Sequence, residues 1–324
     1  MADINRADAL ALLARQDINE IIKPETAQSA ALASFRTIRM SAGVARMPVL
    51  AALPTAGFVT DNDSAEASGI KPTSKATWLN KELVAEEIAV IIPIHENTLA
   101  DSSFDIWAEI RPLVAAEFGR VLDSAVFFGV NKPASWADPA LVAGAIAAKN
   151  YVVEGTGLDL ADDFNDAFGL VEDDEFDVNA AFTGRFLRRK MRALRDADGS
   201  MIYLDSVRGD NNTASIYGQD LFYVGNRSWD RTKATSLMGD RSKVVLGVRE
   251  DVQVKMLDQA TLGTGVNQIN LAERDMIALR FKFRVGFATA YSLAAGKPTD
   301  YPFSVITPTD PVAGDGIPVG VAGA

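Results

Sequence analysis

One histidine, no cysteine and a few clusters of acids and arginines are the material this 324-residue chain offers for chemistry. A triad hydrolase would have to use His95, in "PIHENT" just after a strand-like run, and no nucleophile motif accompanies it. Without cysteine there are no disulfides, thiol nucleophiles or thiolate metal sites. With one histidine, a multi-histidine zinc site cannot form in one chain. "DADGS" at 196–200 begins like a calcium loop, but its glycine comes too early and no glutamate follows at the twelfth place. It reads as a helix-ending turn. "EGTGLD" and "LGTGVN" are not followed by the long helices that a phosphate cradle needs, so both read as turns. The acidic "VEDDEFD" has the charge to hold a hard cation, and its plainer reading is a solvated face. Arg185, Arg188, Arg189, Lys190, Arg192 and Arg195 have the charge to touch phosphate. Alternatively their stems cover apolar surface, or they pair with the acidic run before them. No constellation supports catalysis, a cofactor or a metal, and a small-molecule hydrolase is disfavoured.

What remains is a pattern of elements. The chain is 48% hydrophobic and 23% charged, ordinary for a folded protein with a sizeable core. Its longest apolar runs fall well short of the roughly 18 residues of a membrane span. The first residues carry Asp3 and Asp8 and do not read as a signal peptide. A formal net charge of −11 repels nucleic acid over most of the surface. A protein that surrounds DNA without gripping it remains compatible with that charge.

Residues 1–23 have a helical apolar face of Leu10, Leu12, Leu13 and Ile18, closed by Pro24. Residues 25–46, with Arg36, Arg39 and Arg46, read as an arm with little core of its own. Two strand-like runs, "RMPVLAALPTAGFV" and "WLNKELVAEEIAVIIPI", flank a polar tip. Together they predict a hairpin whose tip, about 18 residues, far exceeds the ordinary two to five. Residues 102–129 predict one long helix, capped by Ser102 with Asp105. Trp107, Ile110, Val114, Phe118, Val121, Ala125 and Phe128 fall on its apolar face, and Asp105, Glu109, Arg120 and Asp123 fall opposite. Pro112 lies nearer the polar side, where it bends rather than breaks the helix.

Residues 131 to about 240 change character and read as an inserted mixed α/β unit. Long strands then return. In "KVVLGVREDVQVKML", Val252, Val254 and Met256 share a side. In "DMIALRFKFRVGFATAY", Ile277, Leu279, Phe281, Phe283, Val285 and Phe287 share a face, opposite Arg280, Lys282 and Arg284. Helix and strand each span roughly 40 Å, so they can lie side by side. The Pro/Gly-rich end reads as a frayed tail.

This order, with "LVAEEIAVIIPIHENTLADSSFDIWAEIRPLVAAEFGRVLDSAVFFG", "NKPASW", "LRRKMRALRDADGSMIY", "VVLGVREDVQVKMLDQATL" and "INLAERDMIALRFKFRVGFA", resembles the major capsid proteins of tailed double-stranded DNA phages. The resemblance covers about 45 to 292. It implies an α+β chain of the Hong Kong 97 type. Residues 1–46 would be an N-terminal arm, 47–95 an extended hairpin loop over a neighbouring subunit, and 96–130 the spine helix of a peripheral domain. Residues 131–242 would be the axial domain, 243–292 the peripheral strands and 293–324 a C-terminal tail. The implied function is self-assembly, as hexamers and pentamers, into an icosahedral head around DNA. The implied place is the virion, after assembly in the host cytoplasm. Further implied partners are a separate scaffolding protein, a portal and a decoration protein. Only about 45 residues, starting at Met1, precede the hairpin, so scaffolding is a separate protein or is dispensed with. An encapsulin-like shell around protein cargo is the alternative. Trp78 and Leu79 at the hairpin root, Lys71 and Lys75 at its tip, and Arg280, Lys282 and Arg284 on the strand are the candidate inter-subunit contacts. Lys71, Lys75 and Lys81 lie on or beside the tip, but the sequence does not place a matching asparagine and glutamate, so an isopeptide cross-link is not predicted.

Overall fold

The computed structural model describes residues 28–52, 56, 58, 73–102, 105–194, 215–263, 268–290 and 300–311. The expected first helix, the "DADGS" turn and Lys71 lie outside the described residues. In chain order the elements begin with α1 (Ala30–Ser34), β1 (Arg36–Arg39), β2 (Val44–Ala52), β3 (Thr77–Val84), β4 (Glu86–His95), α2 (Glu96–Asp101) and α3 (Ile106–Phe128). Next come α4 (Leu141–Ala147), β5 (Tyr151–Val153), α5 (Leu160–Asp173), β6 (Ala180–Gly184), α6 (Leu187–Ala193), β7 (Ser215–Ile216), β8 (Gln219–Val224) and β9 (Ser236–Gly239). The last are β10 (Val244–Leu257), β11 (Thr261–Leu262), β12 (Ile269–Asn270), β13 (Met276–Thr289) and β14 (Phe303–Thr307).

Helix α3 is the spine. It starts later than expected: Asp105, not Ser102, is its N-cap and accepts from the amides of Trp107 and Ala108. Ser102 instead ends α2. Pro112 sits inside the helix and is exposed, where water can replace its missing donor. The 23 residues span about 34 Å.

Two sheets flank the spine. The first has the order β1-β10-β13-β4, with β13 antiparallel to both neighbours and β1 parallel to β10. Its apolar face, with Phe281, Phe283, Val285 and Phe287, packs in one core with Val114 and Phe118. The second has the order β5-β14-β9-β6-β8-β7. It gives Phe182, Leu237, Phe303 and Val305 to the same core. Its other face is covered by α5 and α6, through Phe164, Val171, Leu187 and Met191.

Three expectations are corrected. Because both sheets embrace the C-terminal half of α3, that half is buried all round, Leu122, Val126 and Phe127 included. Asp123, placed on the polar side by periodicity, is therefore fully buried. The arm does own core: Ala31 and Phe35, one helical turn apart, are buried, and the Phe35 ring lies 5.9 Å from Phe127 and 5.1 Å from Phe182. The chain end is not all tail: β14 is buried along its length and sits inside the second sheet, between β5 and β9. The return strand of the hairpin also divides at Ala85. Its first half pairs with β2, and its second half, β4, joins β13.

Candidate assembly surface

The hairpin is a two-stranded ribbon, β2 antiparallel to β3. One face of the ribbon is open, with Val44 and Trp78 keeping 49% and 64% of their surface, while Ala45 and Met47 on the other face are half-buried. Arg46 and Glu82 face each other across it as an exposed ion pair at 3.1 Å. Such a pair adds little stability. Two strands alone bury too little to stand unsupported in water. The ribbon is held at its root.

That root is built closely. Leu83 is buried with Met40, Ala85, Val245 and Ala288. Two glycines let it sit down on the sheet. A Cβ on Gly286 would come 2.6 Å from the Val84 carbonyl oxygen, and one on Gly247 would come 2.5 Å from the Leu83 side chain. The loop after the spine then clamps it. The Trp136 indole donates to the Val84 carbonyl at 3.1 Å, and the Ser135 hydroxyl to Glu86 at 2.6 Å. Lys81 Nζ lies 2.7 Å from Asp138 Oδ1, while Asp138 Oδ2 accepts from the Thr289 amide at 2.7 Å. Lys132 crosses the loop to the carbonyls of Trp136 and Asp138. The stretch "NKPASW" is thus the clamp of the hairpin, a role its sequence did not reveal. Lys81, considered for a cross-link, is engaged here.

The other sequence candidates scatter. Trp78 and Lys75 are exposed, with Lys75 just ahead of β3. Leu79 lies on β3 opposite Val49. Arg280, Lys282 and Arg284 do line one face of β13, but they are half-buried rather than projecting. Two register shifts around Glu250 bend β10 there, and Lys282 Nζ meets Glu250 at 2.8 Å. Arg284 lies 3.9 Å from the same carboxylate and donates to the Ala85 carbonyl. The Lys282 hydrogen bond holds the Glu250 carboxyl below its usual range. Lys282 and Arg284 thus meet an acid of their own chain. Arg280 stands in register between Ile91 and Lys255.

Asp123 is the polar centre that periodicity misplaced. Its carboxylate accepts from the Ser29 hydroxyl at 2.6 Å, the Ala30 and Ala31 amides at 2.9 and 3.0 Å, and the Asn226 side-chain amide. One group thereby ties the arm, the spine and the turn after β8. Burial nevertheless pushes its carboxyl up, against the four hydrogen bonds that favour the charged form.

The remaining chemical candidates resolve as structure. His95 is the exposed residue ahead of α2, its Nδ1 3.2 Å from the Arg274 carbonyl oxygen. The amides of Gly155 and Gly157, in "EGTGLD", donate to Asp163, so that loop is bound to its own helix. Four of the six residues of "LGTGVN", 264–267, lie outside the described residues. Among the described residues no group of three or more acids and histidines is placed to hold a metal, and no helix is long and apolar enough to cross a membrane.

Residues 11–299 match the phage capsid family. The major capsid protein of Staphylococcus phage 80alpha is 29% identical over 230 residues, 69% of this chain and 67% of that one. A solved structure from Microbacterium phage Oxtober96 superposes with a TM-score of 0.86 at 72% identity, covering 95% of this chain and all of that one. A structure from Mycobacterium phage Cain gives a TM-score of 0.82 at 37% identity over 95% and 99% of the two chains. A hairpin clamped at its root and open along one face, a buried spine and these matches converge: the chain belongs to the phage capsid family.

Proposed function

We propose that the chain is a major capsid protein that self-assembles into the shell of a phage head and remains part of the virion. The observation that carries this reading is the hairpin, a two-stranded ribbon clamped at its root and open along one face. Such a ribbon gains order when it lies across a neighbouring copy. The unit built on β10, β13, β4 and α3 is read as the peripheral domain of a Hong Kong 97-type subunit. The six-stranded unit, with β14 added to the 131–242 segment, is read as its axial domain, meeting its copies at the centres of hexamers and pentamers. DNA is enclosed without sequence-specific contact, as the net charge of −11 favours. A separate scaffolding protein and a portal complete the reading. The chain is read as structural, not catalytic. An encapsulin-like shell is not favoured, since the relatives named above come from phages.

The test is direct. The purified chain, expressed alone and with a candidate scaffold, is imaged by negative stain, and particles are assayed for nucleic acid and for protein cargo. Closed shells that hold DNA when formed in infected cells are expected. Shells that hold a cargo enzyme, or a chain that stays monomeric in both conditions, would overturn the reading.

A further inference from the structure

The axial unit carries an acidic turn at one end and a basic helix at the other, with Glu154, Asp159 and Asp162 also at the helix's end and Lys149 and Arg241 at the turn's. Strands β5, β14, β6 and β8 all run parallel, so the sheet has a common beginning and a common end. The acidic turn that closes α5 lies at the beginning: Asp174 accepts from Asn150, just before β5, and from the Tyr301 amide, just before β14. Glu172, Asp173, Glu175 and Asp177 are exposed around it. Helix α6 lies at the other end. It follows β6 directly, Lys190 pairs with Glu154 just past β5, and the Arg188 guanidinium sits 4.1 Å over the Tyr223 ring of β8. Leu187 and Met191 anchor its inner side, which leaves Arg189 on the opposite, outer side, flanked by Arg192 and Lys190.

These two patches cannot neutralise each other inside one chain. Five-residue strands separate them by about 17 Å, roughly two screening lengths at physiological salt. A contact between one end of a unit and the other end of the next is heterologous, and such contacts form a ring when the rotation between copies closes. We propose that neighbouring axial units meet head to tail, the outer face of α6 in one copy against the 172–177 turn of the next. This rests on the capsid reading above and names the contact that would set the order of copies around a capsomer. The alternative occupant of α6, the backbone of the enclosed DNA, predicts no role for the acidic turn.

A charge swap tests it. R189E/R192E and E172K/D173K each place like charges in the contact, and the fourfold variant restores opposite ones. Circular dichroism and melting should match the parent in all three. By sedimentation and negative stain at physiological salt, each double variant should lose about tenfold or more in particle yield, because misplaced charge suppresses the wrong encounter. The fourfold variant should recover most of the yield. A double variant that does not melt like the parent is replaced by its neutral form, R189Q/R192Q or E172Q/D173N, read the same way. Undiminished assembly in both doubles, or a fourfold variant no better than either, overturns the contact. Shells that form normally in R189E/R192E but retain less DNA overturn it in favour of the nucleic-acid occupant. A parent that forms no shells fails the capsid reading, whereas parental shells indifferent to the swaps fail only this inference.

Discussion

The hairpin β2–β3 and the ribbon β10–β13 are both long antiparallel pairs, yet they stand differently in the molecule. The β10–β13 ribbon lays Phe281, Phe283, Val285 and Phe287 against the spine and is flanked by β1 and β4. The hairpin buries Leu83 at its root and leaves Trp78 exposed further out. Even β10 shows the contrast within one strand. Where β1 covers its edge, Val245 and Leu246 are buried; beyond Val248, where β1 has ended, Val252, Val254 and Met256 stand open. The difference separates the part of the chain that supplies the fold from the part that, on the proposed reading, waits for another copy. Area removed from water within the chain stabilises the first, while the second has little such area to contribute.

The comparison breaks first at the spine. Phe118→Asp would bury a carboxylate without a partner between α3 and the Phe281–Phe283 face, so a loss of several kcal/mol is expected in chemical denaturation. A variant that melts like the parent would remove the claim that the β10–β13 ribbon is the fold's foundation. The clamp comes next. Asp138→Ala removes the partner of Lys81 and the acceptor of the Thr289 amide. A loss of about 1–3 kcal/mol is expected. Hydrogen exchange should quicken in β3 while β13 stays protected, and equal quickening in both would mean that the clamp serves the whole fold.

A smaller effect separates two carboxylates. Glu250, on the outer face of the β10–β13 ribbon, has its carboxyl held low by Lys282, so its contribution is present at neutral pH and fades as pH falls through and below the ordinary glutamate value of about 4.3. Glu250→Gln should therefore lower the melting temperature at pH 7 and match the parent in strong acid. Asp123 has the opposite sign. Its carboxyl is raised by burial, so the fold takes up this proton at a higher pH than the unfolded chain does, and this site alone gains stability as pH falls through that window. A parent-minus-Glu250→Gln difference that grows on acidification would contradict the assignment of Glu250.

Much of this division was legible in the sequence, for a physical reason. The period-two alternation of Ile277 to Phe287 and the helical spacing of Val114 and Phe118 each describe a one-sided element, and one-sided burial is what periodicity reports. It failed where burial is two-sided. Asp123 sits between two sheets, so the spine's polar stripe was misread there. Strand β14, buried on both faces, is too short and too close to a Pro/Gly-rich end to show a period, so its residues read as tail. The clamp was invisible for another reason. Lys81 and Asp138 are 57 residues apart and Asp138 and Thr289 are 151 apart, and nothing in the "NKPASW" loop or the residues just after it points to those partners. The cations of β13 were seen, but Glu250 was turned toward them by register shifts that no alternation pattern predicts.

The sharpest test is to remove the hairpin's tip and read folding and assembly on the same sample. Residues 61–75 are replaced by a short Gly-containing turn, which costs the core little because loop closure depends only weakly on length. The account predicts an unchanged far-ultraviolet spectrum and melting curve, with closed particles absent by sedimentation and negative-stain imaging. A truncated chain that still builds complete shells would contradict it, because the hairpin would then not be the clasp between copies.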